Sequence, residues 1–336
     1  MKLPIYSQTV LTDSYGRKIR DLRISVTDRC NFRCIYCMPA QGVIWKRREE
    51  ILSYEEILFL TEIFVSLGIT RVRVTGGEPL LRRGIVGFIK RLSAIGGLED
   101  IAMTTNGYFL ADFAEALVAA GLRRVSISMD SVAPEIFASM TKVSALDRVL
   151  DGIRAAQASG LAPIKINMVV IRGVNDAEIV ALAEFARTHG LIARYIEYMP
   201  LDGPSQWSRE KVVSGKEIYE RVNAVFPLEP LQRHRISDTA KRYRFVDGEG
   251  EIGIIAPVTE PFCGACSRIR LTADGKLRTC LFSLVEHDLR GLLRSGASRK
   301  HIERAIVEAV LNKEPGHRIN EPDYVYPERT MSCIGG

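Results

Sequence analysis

Asp28-Arg-Cys-Asn-Phe-Arg-Cys-Ile-Tyr-Cys-Met38 sets three cysteines, Cys30, Cys34 and Cys37, in a C-x3-C-x2-C spacing, with Tyr36 just before the third. Three thiolates can hold three corners of a four-iron cluster and leave the fourth iron open to chelate a small molecule, whereas structural clusters usually take four cysteines. Structural zinc wants four ligands, commonly in C-x2-C pairs. This segment has one such pair, one C-x3-C pair and no histidine nearby. A disulfide framework fits poorly, because the chain is long and its cysteine count, seven, is odd. The spacing therefore reads as a reactive cluster site.

Around this motif strand and helix patterns alternate. Strand-like runs cover residues 23–27, 71–75, 100–104, 124–129, 163–170 and 193–198. Ser53-Tyr-Glu-Glu56 is a capping box. It opens a helix with Ile57, Leu60, Phe64 and Leu67 on one face, closed by Gly68. Residues 112–120 and 147–159 read as further helices. Asn175-Asp176 reads as the cap of another, with Ile179, Leu182 and Phe185 inward. Such alternation gives a parallel sheet with helical crossovers, and six β/α units fit a partial (β/α)6 barrel. Residues 201–215, rich in Gly, Pro and Ser, read as a boundary loop. The expected division is a partial barrel over residues 1–205 and an α+β carboxy-terminal extension over 206–336, packed against the barrel's open side. In the extension, a helix at 216–225 precedes short antiparallel strands at 242–246 and 252–256, helices at 284–293 and 298–312, and a tail without periodicity after Pro315.

Apolar residues make up 46% of the 336-residue chain and charged residues 26%, an ordinary soluble globular composition. No apolar run approaches the roughly 20 residues of a membrane helix. The start, Met-Lys-Leu-Pro-Ile-Tyr-Ser-Gln, carries no extended apolar signal region. A cytoplasmic location is expected, which suits thiolates that must stay reduced. The net charge of +6 favours anionic partners. It is too diffuse to argue for nucleic acid, and Lys46-Arg47-Arg48 reads as a solvated loop.

A second cysteine set, Cys263, Cys266 and Cys280, has the spacing C-x2-C-x13-C. A Cys3His zinc site completed by His287 competes with a second cluster here. Between these cysteines lies Ser267-Arg-Ile-Arg270. On a strand, Arg268 and Arg270 would share a face, and two guanidiniums beside a metal site suggest an anionic ligand. The five histidines form no motif, and Cys333 lies outside both triads.

The first triad resembles the signature of the radical S-adenosylmethionine (SAM) superfamily, and Thr75-Gly-Gly-Glu-Pro79 resembles that superfamily's stretch for the SAM amino group. With the second triad, Arg-Ile-Arg, Asp13-Ser-Tyr-Gly-Arg17, Leu22-Arg-Ile-Ser-Val-Thr-Asp-Arg-Cys30 and the terminal Gly335-Gly336, the chain resembles the GTP 3′,8-cyclase family of molybdenum cofactor biosynthesis over nearly its whole length. That resemblance implies two four-iron, four-sulfur (4Fe-4S) clusters, on Cys30, Cys34 and Cys37 and on Cys263, Cys266 and Cys280. It implies SAM contacts from Tyr36, Gly77, Ser128 and Met199. GTP contacts would come from Arg23, Arg73, Thr104, Lys165, Arg268, Ile269 and Arg270, with Arg194 joining them. Catalytic roles would fall to Arg268, Arg270, Gly335 and Gly336, the two glycines reaching into the site. A 5′-deoxyadenosyl radical would take the ribose 3′ hydrogen of GTP, and the ribose carbon would bond to guanine C8. Partners implied are GTP, a reductant protein such as a flavodoxin or ferredoxin, and a downstream cyclic pyranopterin synthase, with no nucleic acid and no membrane. The oligomeric state stays open, a homodimer included. Two alternatives stand beside this: another two-cluster radical SAM enzyme such as a peptide-modifying maturase, and a non-catalytic iron–sulfur redox or sensor protein.

Overall fold

Charged residues alternate with aliphatic ones along the central strands, and that alternation builds the site. In β5 (Ile164–Val170) the side chains of Ile164, Ile166, Met168 and Val170 are buried in the core, while Lys165, Asn167 and Val169 line internal cavities. The computed structural model describes residues 10–38, 42–201, 207–327 and 329–335. Ahead of β5 run β1 (Asp21–Ser25), β2 (Arg71–Thr75), β3 (Asp100–Thr105) and β4 (Arg124–Ser128), and after it β6 (Ile192–Glu197). Neighbours in this series pair in parallel. This is the expected six-unit α/β array, with each strand edge displaced by no more than two residues from the expected bounds.

Helices α1 (Tyr54–Ser66), α2 (Ile85–Ser93), α3 (Leu110–Ala119), α4 (Pro134–Thr141), α5 (Leu146–Ala158) and α6 (Ile179–Thr188) fill the crossovers. The capping box at α1 forms as read: Ser53 Oγ accepts from the Glu56 N–H at 3.1 Å, and the Glu56 carboxylate accepts from the Ser53 N–H at 2.7 Å. Ile57, Leu60 and Phe64 are fully buried, and Gly68 ends the helix at φ +100°. Asn175 departs from its expected capping role. Its side chain accepts from the Ile171 N–H and donates to the Asp130 and Val169 carbonyls, so it clamps the end of β5 to the loop after β4.

The extension is α+β, but its strands lengthen the same sheet at both edges. After α7 (Gly215–Val225) come β7 (Leu228–Leu231), β8 (Lys241–Phe245) and β9 (Glu251–Ile255); β8 and β9 are antiparallel as expected, and β9 pairs in parallel with β6. At the far edge β10 (Arg268–Leu271) pairs in parallel with β1, followed by β11 (Lys276–Arg278) and β12 (His287–Asp288). The sheet of the described residues runs β12-β11-β10-β1-β2-β3-β4-β5-β6-β9-β8-β7. Helix α8 (Leu289–Arg294) begins five residues later than expected, because the Asp288 carboxylate accepts from the Gly291 N–H and fixes the start there. Beyond α9 (Arg299–Leu311), the tail is not frayed. A single turn, α10 (Met331–Ile334), buries Ser332 and Ile334. The division expected at residue 205 falls among residues outside the described set, as does Gly336. No helix among the described residues is long and apolar enough to cross a membrane.

Candidate active site

Active sites of β/α folds gather at the carboxy-terminal ends of the strands, and here a cavity of ≈ 280 Å³ lies there. All six motif cysteines, Cys30, Cys34 and Cys37 together with Cys263, Cys266 and Cys280, line it. Tyr36, Gly77, Ser128, Met199, Thr104, Arg23, Arg73, Arg194, Arg268 and Arg270 line it too.

The first triad and the glycine motif are zipped together by backbone. The Gly77 N–H donates to the Thr27 carbonyl at 2.7 Å and the Glu78 N–H to the Arg29 carbonyl at 2.8 Å. A side chain at Gly77 would place its Cβ 2.3 Å from the Arg29 oxygen, and at Gly76 2.7 Å from the Thr27 oxygen. Both positions therefore require glycine to let the cysteine loop close on β2. Glu78 itself is buried and does not line the cavity. It braces the end of β3, accepting from Thr105 Oγ1 at 2.8 Å and from the Asn106 N–H at 2.7 Å, and burial lifts its carboxyl to about 7. The Tyr36 hydroxyl donates to Asp130 at 2.7 Å; burial lifts that carboxyl to about 6, against the hydrogen bonds from Tyr36 and the Val169 N–H. Burial also holds the thiols of the first triad high, Cys30 at about 11 and Cys34 well above its ordinary range. Metal binding must therefore displace protons.

A second cavity, ≈ 530 Å³, opens at the amino-terminal ends of the strands. Arg23, Arg73, Arg194 and Arg268 line both, so they form a belt where the two spaces meet. Lys165 faces this second cavity and not the cysteine side. The acids at the strand starts are engaged elsewhere: Asp21 pairs with Arg71 at 2.6 Å, and Asp100 and Glu251 pair with Arg124 and Arg242. Among the described residues no ion pair forms at Arg23, Arg73, Lys165, Arg194, Arg268 or Arg270. Burial, then the neighbouring arginines, lowers Arg23 to about 9 and Arg73 to about 10. Burial lowers Arg194 to about 10 as well.

On β10 the side chains of Arg268 and Arg270 face the cavity, as expected, whereas Ile269 is fully buried in the core on the opposite face. A side-chain contact of Ile269 with a cavity ligand is thereby ruled out. Arg270 donates to the Gly335 carbonyl. Gly335 sits at φ +89°, and a Cβ there would stand 2.9 Å from Ser25 Cβ and 3.2 Å from Thr75 Cγ2. The tail thus lies over the ends of β1 and β2.

The structure adds residues that the motifs do not flag. Asp130, Asn106 and Asn167 line the cysteine cavity, and Asn167 Oδ1 is buried without a hydrogen-bond partner. The histidine that lines the cavity is His317; His287 sits in edge strand β12, paired with Leu277, away from it. Among the described residues no three His, Cys, Asp or Glu side chains converge tightly enough to hold one metal ion. All seven cysteines are free.

The Radical SAM superfamily profile matches residues 24–186, and the Molybdenum Cofactor Synthesis C profile matches residues 191–319. The GTP 3′,8-cyclase of Thermodesulfovibrio yellowstonii is 46% identical over 328 residues, covering 97% of this chain and 100% of that protein. The GTP 3′,8-cyclase of Streptomyces coelicolor is 45% identical over 329 residues, 97% of this chain and 96% of that one. Among solved structures, Streptococcus suis SuiB bound to S-adenosylmethionine superposes with a TM-score of 0.61 over 95% of this chain and 76% of that one, at 13% identity, a likeness of fold.

Proposed function

This chain belongs to the GTP 3′,8-cyclase family of radical SAM enzymes, and from that premise we propose how its two joined cavities divide the work. The enzyme cyclises GTP in molybdenum cofactor biosynthesis, with iron–sulfur clusters and SAM as cofactors. The residues present fit those groups: two triads of free thiols face one cavity, and an orphaned acceptor, Asn167 Oδ1, points to a ligand there. When bound, the cluster on Cys30, Cys34 and Cys37 supplies the electron that cleaves SAM, and the cluster on Cys263, Cys266 and Cys280 supplies an open iron for the guanine edge.

The chain's own residues bind and orient. Gly77, Ser128 and Met199 contact SAM; Tyr36, fixed by Asp130, positions the third cysteine of the first set beside it. Arg23, Arg73, Arg194 and Lys165 take the triphosphate, with Thr104 beside Arg73 at 3.3 Å. Arg268 and Arg270 join the triphosphate end to the second cysteine set. Gly335 closes the cavity above Ser25 and Thr75; the proposed role of Gly336 falls outside the described residues. The arrangement excludes water from the ribose while both substrates are held.

One observation carries this reading: among the described residues, the cations of the belt form no ion pair with a carboxylate. Burying such charges costs several kcal/mol each, roughly, without a counter-anion, and a triphosphate provides one. A peptide without acidic side chains would not. The proposal includes the division near residue 205, a reductant protein such as a flavodoxin or ferredoxin, a downstream cyclic pyranopterin synthase and a cytoplasmic location. The test is anaerobic reconstitution. Two four-iron clusters per chain are expected, and Cys30→Ala/Cys34→Ala/Cys37→Ala should keep about half the iron and lose SAM cleavage. Zinc in place of iron at either site would contradict the assignment.

A further inference from the structure

Lys313 follows α9 and is 3% exposed. Its ammonium donates to the Arg268 carbonyl at 3.2 Å and to the Thr279 carbonyl. Arg268 stands two residues past Cys266, and Thr279 immediately precedes Cys280. A single buried cation thus ties together the two arms that carry the second cysteine set. Both acceptors are uncharged carbonyls. The nearby Glu314 carboxylate is used otherwise, accepting from Thr279 Oγ1 at 2.7 Å, and among the described residues Lys313 enters no ion pair.

Arg17 makes the contrast. It also reaches this loop, donating to the Cys263 carbonyl at 3.0 Å and the Pro315 carbonyl at 2.9 Å, but Asp13 neutralises it at 2.5 Å. Lys313 has no such partner among the described residues. An isolated buried ammonium is costly, so the position asks for an anion that the polypeptide does not supply. Its two acceptors lie two residues past Cys266 and immediately before Cys280, so its charge sits beside both arms of the cysteine set.

We propose that Lys313 is the counter-charge and positioning residue of the second cysteine site: it holds the Cys266 and Cys280 arms at cluster spacing and stabilises the cluster's reduced state. The inference rests on the reading that this set holds a four-iron cluster. Three thiolates give such a cluster a net negative charge, and taking up one electron from the reductant deepens it by one. A fixed cation in a poorly solvated loop stabilises the more negative state more strongly, which raises the reduction potential. Neither arm of the cysteine set can shift without breaking one of the two Lys313 hydrogen bonds.

The test uses the full-length chain with Cys30→Ala/Cys34→Ala/Cys37→Ala, so that only the second site loads, reconstituted without oxygen. Iron and sulfide content and the midpoint potential, followed by electron paramagnetic resonance during a redox titration, are compared for this parent and for the same chain carrying Lys313→Met or Lys313→Arg. Met keeps the length and removes the charge; Arg keeps the charge. The expected result is a lower midpoint in Lys313→Met, or loss of its iron, with iron retained and a midpoint near the parent's in Lys313→Arg. A midpoint unmoved in Lys313→Met, an equal fall in both variants, or loss of iron from both would overturn the counter-charge role. A parent that binds no iron would instead overturn the cluster reading on which the inference rests, so the two failures are distinct.

Discussion

Arg270 joins three parts of the site: it lines the cysteine cavity, stands beside Arg23 and Arg268, and donates to the Gly335 carbonyl of the tail. Burial, then Arg23 and Arg268, pushes its guanidinium well below its ordinary range, so it gains most when an anion arrives. Arg268→Ala or Arg270→Ala removes a charge-assisted contact worth roughly 1.5–3 kcal/mol. GTP affinity by equilibrium binding should fall at least about tenfold, while SAM cleavage uncoupled from cyclisation survives. Equal affinity in wild type and both variants would place this strand outside the nucleotide site. Lys165 adds a pH dependence. Burial, then Arg194, Arg124 and Arg73, lowers its ammonium to about 8. As pH rises through that value the nucleotide-free protein loses this charge, so GTP affinity should weaken above pH 8, and Lys165→Arg should flatten the decline. The sign for stability is opposite. From about 8 up to an ordinary lysine value near 10.4, the unfolded chain binds more protons than the folded one. The nucleotide-free protein should therefore gain stability with pH across that window, and Lys165→Met should reduce the gain, most at its lower end, below the values of Arg23, Arg73 and Arg194.

Among the elements, the contact between the cysteine loop and the end of β2 has the least slack. Gly77→Ala would set a methyl 2.3 Å from the Arg29 carbonyl oxygen, so one of the two backbones must give way. The expected outcome is loss of the first cluster, seen as about half the wild-type iron, with the second retained; full iron in Gly77→Ala would show that the zipper can relax. The motif was legible in the sequence, but its reason was not, because glycine is demanded by a carbonyl 48 positions away (77 − 29). The same holds for residues the motifs do not flag. Asp130 matters through Tyr36, 94 positions earlier, and Lys313 through Arg268, 45 positions earlier. No local pattern marks either. The inward face of β5 was legible, since Lys165 stands between Ile164 and Ile166 and period two fixes opposite faces. By the same rule Ile269, between Arg268 and Arg270 on β10, turns its side chain into the core, which leaves only its backbone to meet a cavity ligand. Asn175 looked like a cap because it precedes a helix, yet buried carbonyls of β5 and the β4 loop compete for its amide and win.

For the molecule as a whole, the extension joins the barrel's own sheet at both edges. Ile24 pairs with Leu271 at one edge and Ile196 with Ile255 at the other. Such pairings span more than 240 residues at the first edge (271 − 24 = 247), and no periodicity announces them. Their consequence is functional, because β10, paired with β1, brings the second cysteine set, with Arg268 and Arg270, into the cavity that the first set lines. The central claim is that two joined cavities hold SAM against the first cysteine set and GTP between the arginine belt and the second. Its most direct test is isotope transfer in the anaerobically reconstituted, full-length enzyme, supplied with SAM, a strong reductant and GTP carrying deuterium at the ribose 3′ position. Mass spectrometry should find the deuterium in 5′-deoxyadenosine, formed together with a cyclised nucleotide. Deoxyadenosine without deuterium beside unchanged GTP, from enzyme carrying both clusters, would contradict the account.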